Sequence, residues 1–206
     1  MDNLIVAKAV GLLLSYYHSD LLYIANFQKF KKGQLSTDKI LKKEKGSLRS
    51  FINEYRIARN LSNGATNDLA NFIKVWVNTN SSNEVNDVDK LAVTLMNLNF
   101  THNKQMTSLA SKILFLNNPW EILPMDRYTR KAVGLRNNRY SEYQSYISKY
   151  KIYLKPELEK ILLPINPFIQ FIEKDYKSDL TDLETIRKNR LLDKLLWVEG
   201  EREINQ

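Results

Sequence analysis

Two residues stand out as able to do chemistry together. Lys112 and Asp126 lie fourteen positions apart, separated by a stretch that holds Pro119 and Pro124. An unprotonated lysine amine can attack a carbon electrophile and persist as a Schiff base. A free lysine has a pKa of about 10.4, so burial or nearby cations must depress it before it is competent. A carboxylate held close by stabilises positive charge that develops when a bond to a leaving group breaks. Each residue also has an ordinary reading. Lys112 can be a solvated side chain on an amphipathic helix, and Asp126 can be only a helix N-cap, a position where Asp is among the commonest residues.

The elements around the pair are legible. The spacing predicts a helix over Thr107–Leu116, with Met106, Leu109, Ala110, Ile113 and Leu116 as its apolar stripe. Lys112 falls at the edge of that stripe, beside Ser108 and Phe115, where its stem can pack while the amine reaches a cleft. Asn117–Met125 contains both prolines and has to be irregular. Asp126 then sits where an N-cap belongs, opening a helix over Arg127–Leu135. The proline turn brings Asp126 back toward Lys112.

The run Ser111-Lys112-Ile113-Leu114-Phe115-Leu116-Asn117-Asn118-Pro119, followed by Leu123-Pro124-Met125-Asp126 and by Arg130, resembles the catalytic stretch of the 8-oxoguanine glycosylase fold family. That family belongs to the helix-hairpin-helix DNA glycosylases, and the short Lys-to-Asp interval is similar to that of its small bacterial members. Weaker likeness surrounds Arg56–Asn60 and Leu191–Trp197. The resemblance implies an all-α fold of two lobes with a cleft between them, and double-stranded DNA with a flipped base as partner. It implies Lys112 as the nucleophile at the sugar C1′ and Asp126 as the carboxylate that stabilises the cationic sugar. Extrusion is required because neither C1′ nor the base edge is accessible within the stack. The sequence departs from the family in the turn His102–Ser108, which lacks the glycines whose amides usually hold a phosphate. Side chains of Asn103, Lys104 or Ser108 would have to substitute. Arg127, Arg130 and Lys131, at helical spacing on one face, are further candidates for phosphate contact, as are Arg136 and Arg139; a solvated surface serves equally well for them.

Composition sets the wider limits. The chain has 206 residues, 31 Lys and Arg against 23 Asp and Glu, and only 6 Gly and 5 Pro. Few turn-forming residues favour an all-α fold in one helical unit, with the polar stretch 78–86 (NTNSSNEVN) as its clearest loop and possible lobe boundary. Basic residues concentrate in Phe27–Arg59, with ten against three acidic, and in Arg127–Lys155, with eight against one. Such stretches could track a phosphate backbone, or be solvated faces. The absence of Cys excludes disulfides, thiolate zinc sites and iron–sulfur clusters. His18 and His102 make no ligand pattern, so no metal and no cofactor is expected. Lys8 interrupts the apolar N-terminal run, which is too short to span a bilayer, so a cytoplasmic protein with no membrane contact is expected.

Further helices are predicted over Leu4–Phe27, from Ser36 through Lys43, and over Leu48–Leu61, Asp68–Val77 and Asp87–Leu98. Ser141–Leu154 is followed by a new helix opened by Pro156, and Thr181–Val198 closes the set. The tyrosine series Tyr140, Tyr143, Tyr146, Tyr150 and Tyr153 suits core packing better than a base-stacking platform. Two other functions fit the same residues: a non-catalytic DNA-binding protein of this fold, in an anti-phage or mobile-element setting, and a helical protein-interaction module with an incidental basic surface.

Overall fold

The computed structural model describes every residue except Asn63, Ser81 and Gln206. Helices account for most of the chain, and no strand occurs among the described residues. In chain order they are α1 (Asn3–Lys31), α2 (Thr37–Leu41), α3 (Leu48–Glu54), α4 (Ala65–Thr79), α5 (Ser82–Val85), α6 (Val88–Asn97), α7 (Thr107–Asn117), α8 (Arg127–Ala132), α9 (Tyr140–Leu162), α10 (Asn166–Glu173) and α11 (Leu183–Asn205). Their starts follow from local chemistry. Asp2, Ser36, Ser47 and Asp87 each accept a hydrogen bond from an amide of the first turn that they cap.

One core of buried side chains runs from Ile5 to Val198. The long helices α1 and α11 lie antiparallel within it, so that Lys8 meets Glu201 while Asp20 meets Arg190. The short helix α8 lies against α11. At Gly200 the two backbones come so close that a β-carbon would stand 1.9 Å from the Tyr128 carbonyl oxygen. Beside that crossing, Tyr128 and Trp197 meet edge to face at 4.9 Å between ring centres.

Helix α7 is the innermost element. The expected single apolar stripe is absent, because α7 is buried on every side and only Ser108 and Lys112 stay partly exposed. A helix with neighbours all round needs no polar face.

Several boundaries differ from expectation. Helix α3 stops at Glu54 rather than Leu61, because Arg56 adopts a left-handed backbone with φ 55°. A short 3-10 turn over Ala58–Asn60 follows it. The segment 78–86 is no open loop: α4 runs to Thr79 and α5 covers Ser82–Val85. Pro156 does not open a new helix but lies inside α9. Pro156 and Ile152 are both exposed, so the carbonyl that loses its donor sits at a solvated turn. Helix α8 ends at Ala132, two residues before Gly134 takes φ 71°.

Candidate active site

Lys112 projects from the middle of α7 onto Tyr55, the residue that ends α3. Its Nζ donates to the Tyr55 carbonyl at 3.3 Å and lies 5.9 Å from the centre of the Tyr55 ring. Burial lowers its pKa below the ordinary lysine value. Asp126 and then Asp193 oppose that shift, while Arg59 and Arg190 reinforce it. Asp126 is therefore the carboxylate with the largest electrostatic effect on Lys112, although no ion pair within 4.0 Å joins them.

Asp126 also caps α8. Its Oδ1 accepts from the amides of Tyr128 at 2.9 Å and Thr129 at 3.0 Å, and the Thr129 hydroxyl accepts from the Asp126 amide at 2.9 Å. This capping box fixes the carboxyl group through one oxygen. Oδ2 has no hydrogen-bond partner among the described residues.

The turn between α7 and α8 is clamped by side chains from four helices. Gln28 of α1 donates to the carbonyls of Leu116 at 2.8 Å and Asn117 at 2.9 Å, and Lys31 reaches the Asn117 side chain. Asn189 of α11 donates to the carbonyls of Pro119 at 2.9 Å and Trp120 at 2.7 Å. From α9, the Tyr140 hydroxyl accepts from the Leu123 amide at 3.1 Å and donates to its carbonyl at 2.9 Å. Ser111, next to Lys112, accepts from the Met125 amide at 3.0 Å. Backbone groups that a proline turn leaves unpaired are thus satisfied.

A charge network lies against the pair. The Arg190 guanidinium, 1% exposed, donates to Asp20 at 2.8 Å, to Asp193 at 3.0 Å and to the Tyr55 hydroxyl at 3.2 Å. It also lies 4.8 Å from the Phe115 ring centre. The Tyr55 hydroxyl bonds Asp20 as well. Asp20, Arg190 and Asp193 alone would carry one net negative charge in the interior. Lys194, with Nζ at 3.8 Å from Asp193, balances it.

The remaining candidates fall in two groups. In the glycine-free turn, His102 and Asn103 themselves take left-handed backbones, with φ 50° and 56°. Asn and His are among the side chains that tolerate this region best, so the turn reaches a glycine-like course without glycine. Thr107 opens α7 with no side-chain cap before it, and its buried hydroxyl has no hydrogen-bond partner among the described residues. Lys104 is exposed and Ser108 is partly exposed, one turn before Lys112. On α8, Arg127 is exposed, whereas Arg130 donates to the Asn137 carbonyl at 3.0 Å and Lys131 lies 4.0 Å from Glu203. Arg136 is exposed, and Arg139 pairs with Glu142. The tyrosine series divides: Tyr140 and Tyr143 are buried, while Tyr146 and Tyr153 are exposed.

Two cavities accompany these features. One of about 350 Å³ is lined by residues that include Asp87, Asp89, Glu121 and Gln144, and Asp89 there caps α9. The other, about 400 Å³, has Lys43, Arg49, Asn53 and Ser62 in its wall. Neither contains Lys112 or Asp126. No cluster of three or more acidic or His residues able to hold a metal occurs among the described residues, and none of the helices is long and apolar enough to cross a membrane.

Arg190, Asp193 and Lys194 were not singled out from the sequence, yet it carries a signal for the first two. Leu183, Ile186, Arg190, Asp193 and Trp197 share one helical stripe, so two charged residues occupy core positions. Gln28 and Tyr55 carried no such mark. No family model, curated protein or solved structure matches the chain.

Proposed function

We propose that this protein is a DNA glycosylase with lyase activity, acting on a damaged or modified base extruded into a cleft between two helical lobes. Lys112 attacks C1′ of the flipped nucleotide and displaces the base, forming a Schiff base with the opened sugar. Asp126 faces the positive charge that develops on the sugar as the glycosidic bond breaks. Asn103, Lys104, Ser108, Arg127, Arg130 and Lys131 hold phosphates of the flanking backbone.

The observation that carries this reading is the state of the Lys112 amine. It is buried on the Tyr55 carbonyl, its pKa is lowered, and Asp126 acts on it across a turn that four helices clamp. A lysine in a merely solvated role has no use for such support. Borohydride trapping on duplexes carrying an abasic site or 8-oxoguanine tests the proposal. The intact protein forms a covalent adduct and Lys112→Ala does not; absence of adduct with the intact protein, or trapping by Lys112→Ala, sinks it.

One observation favours a second reading, a DNA-binding protein without chemistry. Asp126 already has a complete structural role as the cap of α8. That reading gives salt-sensitive DNA binding, measured by fluorescence anisotropy, that survives Asp126→Asn, with no scission of any lesion.

A further inference from the structure

Helices α9 and α10 bury one apolar face and expose another. The chain stays helical from Tyr140 to Glu173, passing from α9 through a 3-10 turn over Leu163–Ile165 into α10. Ile147, Leu158, Ile161, Leu162 and Ile169 face the core. On the other side Ile152, Tyr153, Leu163, Phe168 and Phe171 are between 66% and 81% exposed, more than every other large apolar side chain of the described residues but Leu4. Pro156, Pro164 and Pro167 beside them are exposed too. Ile152, Pro156, Leu163 and Pro167 recur at four- and seven-residue intervals, and Pro164, Phe168 and Phe171 at four and three, so each set lies along one side of the helical course. The ridge from Ile152 to Phe171 is roughly 30 Å long at the rise of a helix. A solvated helix carries polar residues on this side, and an apolar face of such length marks a contact surface.

Lysines punctuate the ridge. Lys149, Lys155, Lys160, Lys174 and Lys177 are all exposed. Two of the carboxylates in the same stretch are engaged elsewhere: Glu159 accepts from Lys188 of α11 at 2.8 Å, and Glu173 is buried against Arg187. Glu157 and Asp175 are left to offset five ammonium groups. The face is therefore apolar and cationic at once.

We propose that this face lies on an anionic lipid surface, in the plane of the membrane interface. Its phenyl, leucyl and isoleucyl groups reach the boundary of the acyl chains, and the lysine stems carry their ammonium groups among the lipid phosphates and carboxylates. No helix is long and apolar enough among the described residues to cross a membrane, so the contact is peripheral. Charge decides against a second copy of the chain, because a two-fold contact lays one patch on itself and brings lysines against lysines. Duplex DNA would attract the lysines but leave the ridge unburied, since an apolar wedge enters a base step with one or two side chains and not along 30 Å or so. The contact is independent of the chemistry at Lys112.

The test is co-sedimentation of the full chain with vesicles of phosphatidylcholine containing about 30% phosphatidylserine, set against phosphatidylcholine alone, at about 0.1 M salt. The intact protein partitions onto the anionic vesicles. Phe168→Ser/Phe171→Ser keeps every charge and lowers the partition by about 100-fold, about tenfold for each ring. Ile152→Ser/Tyr153→Ser, at the other end of the ridge, shows a fall of similar size, so the result does not hang on α10 staying folded. Lys149→Gln/Lys160→Gln lowers it by about 25-fold, about fivefold for each lysine at an anionic surface. Lys39→Gln/Lys45→Gln removes the same charge away from the ridge and has a smaller effect. The proposal is overturned if the intact protein prefers neither vesicle, if the serine variants bind as tightly as their parent, or if the two lysine pairs fall equally. A lipid-free dimer in sedimentation equilibrium that Phe168→Ser/Phe171→Ser dissociates overturns it in favour of a second copy. Loss of duplex affinity in that variant overturns it in favour of DNA.

Discussion

Substituting Gly200 by Ala tests the architecture that places Asp126. The new methyl would stand 1.9 Å from the Tyr128 carbonyl oxygen, 2.6 Å from its carbonyl carbon and 3.0 Å from its Cα. All three are backbone atoms, so no rotamer change relieves the clash. Reaching the 3.4 Å of ordinary contact requires α8 and α11 to part by about 1.5 Å. Overpacking of this kind costs about 1–3 kcal/mol. Exchanging Gly for Ala inside a helix returns up to about 1 kcal/mol. A net loss of about 1–2 kcal/mol follows, which for a chain of this size lowers Tm by about 2–8 °C. Asp126 caps α8 and moves with it. A displacement of about 1 Å in a reacting group can cost on the order of 100-fold in rate, so under the proposed glycosylase function adduct formation falls even at temperatures where the variant is fully folded. Thermal unfolding followed by circular dichroism gives the first quantity and single-turnover trapping the second. A Gly200→Ala protein as stable as its parent, or more so, would refute the close crossing of α8 and α11.

Other substitutions probe the same arrangement. Lys112→Met removes an amine whose protonated form the fold disfavours. Its pKa is lowered in the folded state, so the unfolded chain binds more protons between that value and the ordinary 10.5. The variant is therefore more stable than its parent at neutral pH, and the gain shrinks as pH rises toward 10.5; urea titrations across that range show it. Tyr140→Phe leaves the buried Leu123 amide and carbonyl without their shared partner and costs about 2–3 kcal/mol by chemical denaturation. Arg190→Met strands Asp20 and Asp193 in the interior and costs about 3–5 kcal/mol. Adding Asp20→Asn to Arg190→Met recovers part of that loss, a coupling that a double-mutant cycle measures.

The sequence conveyed the helical class well because binary patterning and capping are local. Asp126 caps α8 where its position suggested. Signals that depend on tertiary context misled. The polar segment 78–86 reads as a loop by composition, yet helical turns occupy most of it. Pro156 looks like a helix start, but an exposed turn of a long helix tolerates it. Arg56 ends α3 through a backbone conformation that its side chain does not announce. At the candidate site, Lys112 and Asp126 were visible because both lie in one short stretch. What surrounds them comes from α1, α3, α9 and α11, and pairing over such separations leaves no local pattern. The burial of α7 on all sides was equally hidden, since its stripe alone does not reveal neighbours on the other faces.

The bond between Asp20 and Arg190 spans 170 positions, and this separation gives the site a timetable. A nascent chain grows at about 5–20 residues per second, so Asp20 is made roughly ten seconds or more before the guanidinium that neutralises it. Until α11 arrives, the Tyr55 hydroxyl lacks its Arg190 donor, and the shelf beneath Lys112 is held by α1 alone. Closing so long a loop adds little entropic cost beyond that of a shorter one, but it makes completion of the site one of the last folding events.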